Sequence, residues 1–169
     1  MRTLIPVQAE MNSGKSGSIK LVYERYEREL AKNDVIVPNT LPKEVFGILK
    51  INGVNVGFVS VGDKPGRLED DLEEIREECD VDVIVCGCRK GARFKGSEMQ
   101  EVLKKMEAAP NLFTLDPITK IPLPKDKKTR TPDEDKKRKA LELADNKVWA
   151  GEIRTRIESA IARAKEGHS

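Results

Sequence analysis

The chain has 169 residues, enough for one domain to bury a core without metal or disulfide staples. Charged residues make up 36% and aromatic residues 4%, so the surface is expected to be strongly hydrophilic; the 38% of hydrophobic residues fall in short blocks, which argues against global disorder. The 31 basic and 29 acidic residues leave a formal charge of +2, which removes any global electrostatic case for nucleic-acid binding and leaves only local ones.

In chain order, Thr3-Leu4-Ile5-Pro6-Val7-Gln8 is a short apolar run expected to be a buried strand. Pro6 has no backbone N–H, which predicts an edge or end position for it. After a glycine-containing turn, Ile19, Leu21, Val22, Tyr26 and Leu30 recur at helical spacing and predict an amphipathic helix from Ser16 to about Ala31. Residues 33–42, with two prolines, read as a loop. Two β-rich runs, 45–51 and 54–61, are joined by Asn52-Gly53, the strongest short hairpin signal. Leu68, Leu72 and Ile75 mark a second helix.

The run Val81–Cys86 is expected to be a buried strand ending in a basic loop over 89–96, followed by a third helix from about Ser97 to Ala108 and a last strand at 111–115. Prolines and lysines dominate 120–139, a basic segment with the look of a mobile lid or a solvated linker. Thr131-Pro132-Asp133-Glu134 is a helix start, opening a helical region over 132–166 with a break expected near Asp145-Asn146. Together these elements predict one α/β domain over 1–169: a layered sheet of about five strands, mainly parallel with one hairpin strand, flanked by helices. Cys79, Cys86 and Cys88 make an odd count and, with no signal peptide, predict reduced thiols and a cytoplasmic location. Apolar runs far shorter than the ~18 residues of a membrane span predict no membrane partner.

Residues 9–17, Ala-Glu-Met-Asn-Ser-Gly-Lys-Ser-Gly, carry the chemistry. A turn of exposed amides between a strand and a helix start stabilises phosphate anions; a lysine adds a point charge, and the next hydroxyl suits magnesium. Asn12, Ser13, Gly14, Lys15, Ser16 and Gly17 are the expected phosphate contacts, with Ser16 also a metal ligand. Where the pattern asks for a first glycine, Ala9 stands instead. Gly-Lys-Ser also occurs by chance in ordinary turns; the strand before it and the helix after it favour the functional reading.

Residues 3–31 resemble the opening of P-loop NTPases, and the layout to about residue 115 is similar to the small P-loop kinases and ATPases carried by bacteria and phages. The resemblance implies ATP or GTP as ligand, Mg2+ as cofactor and a P-loop NTPase-like sheet. Asp63, directly after the second hairpin run, is then the candidate for the second magnesium-holding carboxylate; capping the following helix is its alternative role. Asp63-Lys64-Pro65-Gly66 also fits a GTPase switch pattern, but Asn146-Lys147 lacks the aspartate that a guanine-reading Asn-Lys-x-Asp motif needs. In the basic loop, Arg89 and Arg93, with Lys90 and Lys95, are placed to stabilise a transferring phosphoryl group or simply to face solvent. Two thiols in Cys86-Gly87-Cys88 and a terminal His168 are too few ligands for zinc. Three functions stay open: a magnesium-dependent phosphotransferase or NTPase acting on an unknown acceptor, a binding-only nucleotide sensor working through a protein partner, and an ATPase that contacts nucleic acid through the lysines of 125–139.

Overall fold

The computed structural model describes residues 1–9, 15–61, 64–89, 94–121, 123 and 131–167, with the side chains of 94–97 excepted. It is an α/β fold around one mixed seven-stranded sheet. Strand β1 (Arg2–Ala9) is followed by helix α1 (Lys15–Glu29), then by β2 (Val35–Val37), β3 (Phe46–Ile51) and β4 (Val54–Val59). Helix α2 (Pro65–Glu78), β5 (Val83–Arg89) and α3 (Phe94–Glu107) complete the middle of the chain; β6 (Phe113–Leu115), β7 (Ile118–Thr119) and α4 (Pro132–Gly167) end it.

The strand order is β2-β3-β4-β5-β1-β6, with β7 also paired to β1. β1 runs parallel to β5, β6 and β7, and β4 runs parallel to β5, while β2-β3 and β3-β4 are antiparallel. Side-chain alternation divides the core. Ile5, Val7, Val83 and Val85 face one side, where α1 and α4 cover them with Ile19, Val22, Ile153 and Ile157. Leu4, Ile84, Cys86 and Cys88 face the other, against Leu68, Leu72 and Ile75 of α2 and Met99 and Leu103 of α3. A strand covered on both faces needs an unbroken apolar run, which is what β1 and β5 have.

Pro6 lies in a central strand, not at an edge, opposite Cys86 of β5. The hydrogen bonds explain why this is tolerated. Thr3 N–H points to β5, donating to the Asp82 carbonyl, whereas the Leu4 and Gln8 carbonyls accept from Asp116 and Lys120 on the opposite side. By alternation, Pro6 turns its missing donor toward that second side, at the gap between β6 and β7. The missing bond is a single one, because β6 and β7 keep the same register along β1 on either side of it.

Other expectations shift. The segment read as a loop over 33–42 contains strand β2. β5 runs from Val83 to Arg89, so Arg89, expected to open the basic loop, belongs to the strand. The expected break at Asp145-Asn146 is absent: α4 runs unbroken for 36 residues, starting where Thr131 caps it, its Oγ1 accepting the Glu134 N–H at 3.3 Å. Its buried face begins only at Ala150. No helix among the described residues is long and apolar enough to cross a membrane.

Candidate functional site

β1 and β5 end side by side, with Ala9 opposite Arg89 in the register. α1 starts at Lys15, with five residues between it and the end of β1, so the helix N-terminus opens at the carboxyl edge of the parallel strands. In open α/β sheets that edge is where ligands bind. Lys15 is buried, 4% exposed, and its ammonium acts electrostatically on Cys88 and on Lys120. Burial pushes the Cys88 thiol up to about 12, an effect that the Lys15 charge partly offsets. Cys86, fully buried, is also raised well above the ordinary thiol value. Neither thiol is therefore a nucleophile at neutral pH.

Ser16 turns toward the end of β4, its hydroxyl donating to the Ser60 carbonyl at 3.2 Å. Ser60 is itself fixed: its N–H donates to the Val45 carbonyl, and its Oγ accepts the Val45 N–H at 2.6 Å. Asp63 lies three residues beyond Ser60 in the chain and outside the described residues, as do Asn12, Ser13, Gly14 and Arg93. The N-cap position of α2 falls on Lys64, which makes no side-chain cap bond; Pro65 follows as the first helical residue. Arg89 is half-buried at the end of β5, and its N–H donates to Met99 Sδ at 3.1 Å. Of the expected site residues, the structure thus brings Lys15, Ser16, Gly17 and Arg89 to one edge of the sheet, together with the end of β4.

A second charged group stands beside them that sequence patterns do not single out. Lys120 immediately follows β7, and its side chain is fully buried. Its ammonium donates to Asn146 Oδ1 at 2.8 Å and to Ser18 Oγ at 3.3 Å, and Asp145 Oδ2 lies 3.4 Å away. Ser18 Oγ also donates to Asn146 Oδ1, at 3.3 Å. Burial lowers the Lys120 pKa; Asp145 opposes that shift and Lys15 adds to it. A Cβ placed on Gly17 would stand 2.8 Å from Asn146 Nδ2, so α4 lies directly over the first turn of α1. The sequence signal was a lysine inside the apolar run Ile118-Thr119-Lys120-Ile121, where burial would demand partners.

Of the basic segment, 131–139 forms the exposed start of α4, where Lys139 pairs with Asp135 and Arg138 with Glu142. No cluster of three or more His, Cys, Asp or Glu side chains arranged to hold a metal occurs among the described residues. Comparison with protein-family models, with curated proteins and with solved structures finds no match to this chain.

Proposed function

We propose that the chain is a P-loop protein that binds a nucleoside triphosphate with magnesium at the carboxyl edge of the sheet, and that it acts as a phosphotransferase or NTP hydrolase. One observation carries the reading: a buried lysine, Lys15, opens the helix that leaves the central parallel strand, and the next side chain, Ser16, faces the end of β4. A chance Gly-Lys-Ser turn has no reason to stand between the end of a parallel strand and a helix start with its lysine buried there. At a phosphate site the same burial strengthens the attraction for the anion.

In this reading Lys15 and the amides of Asn12 to Gly17 hold the phosphates. Ser16 and Asp63 are proposed to offer the hard oxygen ligands that magnesium prefers. A bound magnesium ion would neutralise charge developing on the phosphates. Arg89 and Arg93 are the proposed stabilisers of the transferring group. Phosphoryl transfer depends chiefly on positioning and electrostatics, so the lack of an evident general base is compatible with catalysis.

The binding-only reading has one observation in its favour. Ala9 is 1% exposed, packed where a phosphate loop usually begins on glycine. Turnover separates the two: phosphate release or transfer from ATP or GTP that disappears in Ser16→Ala supports the enzyme. Tight magnesium-dependent binding with no turnover supports the sensor. An absence of binding by ATP, GTP and deoxynucleotides contradicts both.

A further inference from the structure

An open groove of about 430 Å³ lies on the flank of α4 away from α1, against the connection from β6 to β7. Pro117 and Thr119 form one wall; Val148, Trp149, Glu152 and Arg156 form the other. The volume lies within the range of small-molecule sites. Its walls have the mixture such sites use: a half-buried indole and an apolar Val148 left 71% exposed, with polar groups at the rim. Ion pairs hold the two walls together. Arg156 bonds to Asp116 before β7 and, at 3.2 Å, to Glu152, while Arg163 lies 3.6 Å from Asp116. The groove is therefore preformed.

Its position identifies an occupant. Thr119 on one wall is followed at once by Lys120, which bonds to Ser18 in the first turn of α1. Trp149 on the other wall comes one helical turn after Asn146, which covers Gly17. Three residues carry the chain about 4.5 Å along the helix axis and about 60° short of a full turn. The top of the groove thus begins beside the start of α1, on the side of α4 turned to the edge of the sheet. We propose that this groove binds the nucleoside of the nucleotide whose phosphates lie on residues 9–17, with the base stacked on Trp149; the proposal rests on the phosphate-loop reading. An aromatic face suits any base, because every base presents a π-surface. The charged rim, Glu152 and Arg156, offers both an acceptor and a donor to base edges or sugar hydroxyls.

Trp149 is the single tryptophan of the chain, so its fluorescence reports on the groove directly. The expected result is that Mg-ATP or Mg-GTP quenches this emission and shields it from acrylamide. Inorganic tripolyphosphate competes for the phosphate loop without doing so. Trp149→Ala lowers nucleotide affinity about tenfold, as loss of one stacking contact does, and leaves tripolyphosphate affinity unchanged; Trp149→Phe, which keeps a ring, retains most of the nucleotide affinity. Should the alanine variant fail to fold, the wild-type emission and the phenylalanine variant still decide the matter. Nucleotide binding that requires Lys15 but leaves Trp149 emission and shielding unaltered overturns the groove proposal and spares the phosphate loop. Binding of neither nucleotide nor tripolyphosphate overturns both.

Discussion

Lys120 illustrates how a single buried charge organises this edge of the sheet. Its three ammonium protons have three acceptors in reach, Ser18, Asn146 and Asp145, and these come from two helices, α1 and α4, that Ser18 and Asn146 also join directly. Lys120→Ala strands a carboxylate and an amide beside the core, and is expected to cost about 2–4 kcal/mol in urea unfolding; a loss below half a kcal/mol, within the usual range for surface substitutions, contradicts the arrangement. Gly17 gives a sharper test. Gly17→Ala forces the Asn146 amide away and should destabilise the chain, whereas in an Asn146→Ala background the same substitution gains the helix propensity of alanine, up to about 1 kcal/mol. Additive effects would show that Asn146 does not cover Gly17. Lys15 and Ser16 were readable from the sequence because their tripeptide has fixed spacing between a strand and a helix. Lys120, Asp145 and Asn146 were not, because their meeting depends on how α4 packs over α1, and no local pattern encodes that.

At the scale of elements, the hairpin was the clearest signal and folds as its turn chemistry requires. Asn52 and Gly53 both have positive φ, 50° and 83°, the conformation of a two-residue turn between twisted strands. Nothing lies within 4 Å of a Cβ added at Gly53, so Gly53→Val meets backbone strain alone and should cost about 1–2 kcal/mol by thermal or urea unfolding. An unchanged stability contradicts the left-handed turn. The expected elements that failed did so for identifiable reasons. β2 hides just before Pro38 and Pro42 and pairs only with β3 at the sheet edge, where three residues suffice. Pro6 was assigned to an edge because composition cannot reveal that the neighbouring strand is split into β6 and β7 just where the proline lacks its donor. The break expected in α4 does not occur because Asp145 and Asn146 spend their side chains on Lys120 rather than on their own backbone.

For the whole molecule, protons held more tightly by the folded than by the unfolded chain, chiefly on buried thiols and phenols, set the alkaline limit of stability. Cys88 is raised from 9.0 to about 12, Tyr23 and Tyr26 from 10.0 to about 12, and Cys86 well above its ordinary value, in each case chiefly by burial. Below pH 9 these groups are protonated in both states and stability is unaffected; above it the unfolded chain loses its protons first, so stability falls as pH rises toward 12. Lys120, lowered by burial, acts in the opposite direction but is a single group against several. Each fully titrating group contributes a slope of about 1.4 kcal/mol per pH unit. Cys88→Ala should remove the earliest part of that decline, and urea midpoints that stay level from neutral pH to well above 9 would contradict the burial of these groups.

The account centres on Lys15, and the most direct measurement is a calorimetric titration of Mg-ATP and Mg-GTP into the wild-type chain and into Lys15→Ala. Removing a buried lysine that meets a phosphate should weaken binding about tenfold to hundredfold, the worth of a hydrogen bond to a charged group, while the unliganded variant keeps its fold by circular dichroism. Equal affinity in the two proteins, or no heat of binding in either, contradicts a phosphate site at residues 9–17.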